Sequence, residues 1–200
     1  MRPSEDSAAF SRDGELWFSD GNVVLETHGH AFKVHQGLLA YNSEVFRDLF
    51  TIPQPASSET FDGCPVVHLT DHPVELRLLL QAIFSGQSYH RNDKRVGFAI
   101  VAAIVRLSHK YQIDYVRDAY LWRMKSCFPT KFETWDTMRG SCGSTLTGFC
   151  TADAITAVNI ARLTGTDSML PTALYSCCLL DPECLLKGTA RLDGTREYLS

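Results

Sequence analysis

The stretch from Phe32 to Phe50 limits what this chain can fold into more than any other, because its apolar pattern changes period inside a short span. Phe32 and Val34 alternate with polar neighbours, the pattern of a half-buried strand. Leu38, Leu39, Ala40 and Tyr41 then form one unbroken apolar block. Ser43 follows, a residue type whose hydroxyl caps helix N-termini. Phe46, Leu49 and Phe50 lie three and four apart beyond it, the spacing of a helix face. The predicted order is strand, short helix, capped short helix. Neither helix is long enough to persist alone, so both must rest on a larger body. A short helix apolar all round also cannot bury every side chain inside a small domain, so part of Leu38–Tyr41 is expected to face a second chain.

The flanking sequence predicts that larger body. Leu16, Trp17 and Phe18 read as a short strand ending at the turn signal Asp20-Gly21. Val23, Val24 and Leu25 read as the next strand. Thr27 to His30 is a hairpin turn, and Ala31 to Val34 returns antiparallel. The two prolines and two serines of 51–58 make a loop. Val66, Val67 and Leu69 around His68 give another strand. Asp71 is the expected cap of a helix with Pro73 in its first turn and Val74, Leu76, Leu79, Leu80, Ile83 and Phe84 inside, closed at Gly86. Ser88 to Gly97 is a polar loop. Phe98 to Leu107 is almost wholly apolar and reads as a helix buried on most sides. Tyr115 to Phe128 is amphipathic, with Val116, Ala119, Tyr120, Met124 and Cys127 inward, and Pro129 stops it.

Four regions follow: a loose tail over 1–13, a domain over 14–128, a Gly-, Ser- and Thr-containing linker over 129–150, and a helical extension over 151–200. In the extension, Thr151 to Leu163 is one helix, ended by Gly165, and Leu170 to Leu180 is its partner. No pattern is readable after Asp181-Pro182, which leaves open that the last element is incomplete.

Nineteen basic against 23 acidic residues, the basic ones scattered, argue against a nucleic-acid backbone as partner. No segment approaches a membrane span, and the N-terminus has no apolar core of a secretory signal. Seven cysteines in a chain of 200 residues are most simply reduced thiols of an intracellular, cytoplasmic or nuclear, protein. No Cys-x-x-Cys pair is present, and His28 and His30 have no cysteine at knuckle spacing, so no metal is expected. No nucleophile elbow, phosphate-cradling loop or dinucleotide fingerprint appears, so neither catalysis nor a cofactor is expected. A thiol-dependent enzyme is the remote alternative, since a Cys–His pair is assembled in space rather than in sequence.

Phe32, Val34, His35, Leu39, Ala40, Ser43, Phe46, Leu49 and Phe50 together closely resemble the core signature of the BTB/POZ domain family. The resemblance runs from about Leu16 to about Phe128 and includes Lys110-Tyr111 before Ile113. It implies an α/β fold in which a small β-sheet is flanked by a cluster of short helices; the later helical hairpin resembles the extensions that follow many such domains. It implies a protein–protein interaction module rather than an enzyme, most simply a homodimer across the first short helix, with Trp17, Leu38, Leu39 and Tyr41 as interface candidates. Asp20 and His35 would be structural, as would Ser43 and Phe46. Many relatives dock a cullin scaffold for ubiquitin ligase assembly through an apolar-x-acidic motif after the second short helix. The nearest match is Ile52-Pro53-Gln54, so Phe50, Ile52 and Gln54 are the docking candidates, with Gln54 where an acidic residue is usual. The expected role is an adaptor that dimerises and recruits a client or that scaffold. The alternative is a nuclear transcription regulator acting through the same association.

Overall fold

The computed structural model describes residues 10–52, 59–84, 95–138 and 143–200. The chain opens with β1 (Ser11–Trp17), β2 (Val23–Thr27) and β3 (His30–Val34), followed by α1 (Gln36–Asn42) and α2 (Glu44–Thr51). Then come β4 (Thr60–Phe61), β5 (Cys64–His68), α3 (Pro73–Phe84), β6 (Val96–Gly97), α4 (Phe98–Lys110) and α5 (Asp114–Lys125). The C-terminal part holds α6 (Phe132–Met138), β7 (Thr147–Gly148), α7 (Asp153–Thr164), α8 (Leu170–Cys178), α9 (Pro182–Lys187), β8 (Thr189–Ala190) and β9 (Arg196–Glu197).

The main sheet has the order β1-β3-β2-β5-β4. β2 and β3 are antiparallel, and β1 and β5 join them in parallel. Positive φ at His28 and Gly29 makes the β2–β3 turn, and Asp62 and Gly63 do the same between β4 and β5. Side chains alternate across the sheet. Leu25, Phe32 and Val34 face the helices, whereas Val24, Ala31 and Val66 face the other way, under Phe10, Trp17 and Phe61.

The strand at Leu16 begins earlier than its apolar pattern predicts, inside the expected tail. Asp13 explains this: its buried carboxylate accepts from the Glu15 and Leu16 amides at 2.9 Å, from Arg77 Nε at 2.6 Å, and lies 3.0 Å from His30 Nε2. Burial opposes its ionisation, but these partners outweigh it and hold its pKa at about 2. The strand is fixed by a polar anchor, which apolar alternation does not reveal.

Ser43 caps α2 as expected, accepting the Phe46 amide at 3.0 Å, and it donates to the Tyr111 carbonyl at 2.5 Å. Asp71 does not cap α3. His72 precedes the helix instead, its Nδ1 accepting from the Val74 amide at 3.4 Å, and Asp71 accepts from Lys110 Nζ at 2.6 Å and from the Tyr111 hydroxyl. Gly86 and most of the loop at 88–97 lie outside the described residues; the end of that loop is β6.

The expected linker at 129–150 carries α6 and β7. β7 pairs in parallel with β6, and Phe149 meets Phe98 at 5.6 Å and Phe128 at 5.2 Å. Gly165 ends α7 in the left-handed conformation, as expected. One hydrophobic cluster runs from Leu16 through α3, α4 and α5 to Leu180. The extension is therefore packed on the same core as the sheet.

Beyond Pro182, α9 and the β8–β9 hairpin were not legible as a pattern. Glu197 fastens the hairpin, accepting from Arg106 of α4 and from Thr156 Oγ1 at 2.7 Å and Asn159 Nδ2 at 3.0 Å of α7.

Candidate functional site

α1 lies on the core with one side only. Leu39 is completely buried, whereas Leu38 is 37% and Tyr41 87% exposed. Residues three apart share a helix face and adjacent ones do not, so Leu38 and Tyr41 point outward together. Leu39, expected at an interface, is instead a core residue of the single copy. The Gln36 amide at the start of the helix donates to Asn22 Oδ1 at 2.8 Å, and within the helix Asn42 Nδ2 donates to the Leu38 carbonyl at 2.8 Å.

His35 precedes α1 but makes no capping bond. Its ring stacks on Phe18 at 5.2 Å, and its Nε2 lies 3.5 Å from the exposed Asp20 carboxylate. His35 thus lies beside Asp20 and against the Phe18 ring. Phe46 is fully buried and stacks on Tyr111 at 4.4 Å with the rings 7° apart.

Trp17 is also placed differently from expectation. It is half-buried, meeting Phe61 edge to face at 5.9 Å with the Arg12 guanidinium 4.8 Å from its ring. The outer face of the sheet uses this side chain as its own cover, so it is not free to serve a partner in the same way as Tyr41.

At the end of α2, Phe50 is half-buried and stacked on Phe46 at 5.9 Å. Ile52 is 57% exposed. Gln54 lies outside the described residues. The structure thus leaves Ile52 exposed and uses Phe50 mainly for packing.

Two exposed aromatics were not singled out from the sequence. Tyr115 and Trp122 of α5 are 48% and 52% exposed, seven residues apart on one helix face, with half-buried Ala119 between them. The signal was available: the inward positions of this helix leave these two rings on the outside.

The polar clusters hold the fold together rather than converging on a cavity. His68 stands between Glu26, which contacts its Nδ1, and Glu59, 2.9 Å from its Nε2. Burial pushes the Cys127 and Cys177 thiols up, the opposite of what an activated nucleophile needs. Among the described residues, no three His, Cys, Asp or Glu side chains are grouped as metal ligands, and no helix is long and apolar enough to cross a membrane.

A mixed sheet backed by short helices, presenting apolar side chains on α1 and α5, defines a domain built to meet other proteins. The model of the BTB/POZ domain family matches residues 12–125, more than half of the chain, and the chain belongs to that family. No curated protein matches it. BTB/POZ domains are protein–protein interaction modules that form homomeric and heteromeric assemblies.

Proposed function

We propose that this chain is a non-enzymatic adaptor that forms a two-fold homodimer across α1, with Leu38 and Tyr41 at its centre. The observation that carries this reading is the exposure of Tyr41, 87%, beside Leu38 on a helix whose other side is sealed in the core. A two-fold axis beside α1 lets the same patch cover itself on both copies. Leu39 acts from beneath, by holding α1 on the core, while Trp17 covers the opposite face of the sheet. The unbridged state of the described cysteines supports an intracellular setting.

Light scattering tests the reading. The wild type runs at twice its 22.4 kDa mass, and Leu38→Ser with Tyr41→Glu converts it to a monomer of unchanged circular dichroism. Leu39→Asp is the contrasting control: it unfolds the chain instead of dissociating it, since it places a charge in the core. A monomeric wild type overturns the proposal.

Recruitment of a cullin scaffold at the end of α2 is the second reading, favoured by the exposed Ile52. Its test is binding to the cullin N-terminal region by calorimetry. Ile52→Asp weakens that binding and Gln54→Glu strengthens it. No change from either substitution removes this reading.

A further inference from the structure

Two neighbouring hollows lie where the segment after α5 meets the start of α8. The first, about 340 Å³, lies between the segment entering α6 and the start of α8. Its walls are Pro129 and Trp135 on one side and Pro171 and Tyr175 on the other. The indole and phenol rings meet edge to face at 5.3 Å. Thr172 Oγ1 donates to the Pro129 carbonyl at 3.2 Å and ties the two walls together, so the hollow exists before anything enters it. The second, about 450 Å³, shares Pro129, Thr130 and Lys131 with the first and adds Lys125, Phe128, Thr134 and Ser168. The first hollow is walled mainly by aromatic rings and prolines; the second has two lysines and three hydroxyls around Phe128 and Pro129.

The lysines give the pair of hollows its sign. Lys33, Lys110 and Lys187 each contact a carboxylate, at 2.9, 2.6 and 2.5 Å. Lys125 and Lys131 make no ion pair among the described residues, although both are exposed and border one hollow. Glu133 and Asp136, close by in sequence, line neither hollow. Two uncompensated cations beside a preformed apolar slot are complementary to an anion attached to a flat or rigid ring.

We propose that this face binds an acidic peptide segment of a partner protein, with a proline or aromatic ring in the hollow walled by Pro129, Trp135, Pro171 and Tyr175 and neighbouring carboxylates on Lys125 and Lys131. The two hollows share Pro129, Thr130 and Lys131, which suits an extended chain running from one to the other. Proline-rich chains favour such aromatic slots because they are extended before they bind. Apart from Lys125 the face lies beyond the family-matched residues 12–125, and it shares no residue with α1. Its test is therefore independent of the dimer.

Panning the full chain against a random peptide display library reads the specificity directly. Enrichment of Asp and Glu next to Pro, Phe, Tyr or Trp is expected. The Lys125→Glu/Lys131→Glu protein, which alters only exposed positions, should bind a selected peptide about tenfold more weakly and select basic sequences instead. Tyr175→Ala should weaken the same peptide similarly while leaving its dependence on salt intact. Replacing the ring residue of the peptide with Gly should reproduce the Tyr175→Ala loss. Selected sequences without acidic enrichment, or equal affinity for wild type and the charge-reversed protein, overturn the proposal. Loss of the dimer with retained peptide binding, or the reverse, separates this inference from the one at α1.

Discussion

His68 is an imidazole held between two carboxylates, and its charge state sets how firmly β5 is tied to its surroundings. The contact with Glu26 raises its pKa above the ordinary value, and Glu59 adds to the effect against partial burial. The stability from this clasp is fully present below the ordinary imidazole pKa of about 6.5 and is lost as pH rises through the raised value. Protection of the β5 amides, corrected for the intrinsic pH dependence of exchange, should therefore fall as pH rises from about 6.5 through the raised pKa. His68→Gln should flatten that dependence, and an NMR titration of His68 should centre above about 6.5. A midpoint at or below that value would refute the clasp. The histidine and its strand were legible in the sequence. Its partners were not, since Glu26 and His68 are brought side by side only by the parallel register of β2 on β5. His35 teaches the same lesson in reverse. It immediately precedes α1, yet Asn22 takes the Gln36 amide and the imidazole stacks on Phe18, because the β1–β2 turn brings Asn22 to the helix end.

At the scale of elements, the β8–β9 hairpin is the least expected piece and one of the best anchored. Gly188 enters it at a φ of 68°, and a side chain there would collide with the Glu197 carbonyl, so the turn requires glycine. Glu197 then gathers Arg106, Thr156 and Asn159 around one largely buried carboxylate. Glu197→Ala leaves Arg106 without its partner and should cost about 3 kcal/mol, the scale for breaking a buried ion pair. Thermal denaturation of the variant measures this; a loss below about 1 kcal/mol, the surface-pair range, would show the clasp to be superficial. Strands of two residues, Thr189–Ala190 and Arg196–Glu197, are too short to carry an alternation, which is why apolar periodicity does not reveal them. β4 could have been found: Asp62-Gly63 between Phe61 and Cys64 is a two-residue hairpin signal. The helices α4, α7 and α8 were readable because each repeats its apolar positions over two turns or more.

For the molecule as a whole, one apolar cluster joins the sheet, the central helices and the extension. Thermal and chemical unfolding followed by circular dichroism and by tryptophan fluorescence should coincide in one transition. Ending the chain at residue 128 should strip α7 from α4, uncover the apolar α4 side chains that α7 packs against, and give an aggregating product. Two separated transitions, or a stable truncated domain, would mean that the extension folds independently. The spacing of Phe32 to Phe50 by itself determined the strand, the two short helices, the Ser43 cap and the family, because period and capping are local properties that one segment carries alone. Only the tertiary structure decided that Leu39 is core while Tyr41 faces outward, that Trp17 covers the chain's own sheet, and that residues 129–150 are fastened to the core. Those outcomes depend on which distant surfaces meet, and a helix or strand acquires an inside only when another element is laid against it.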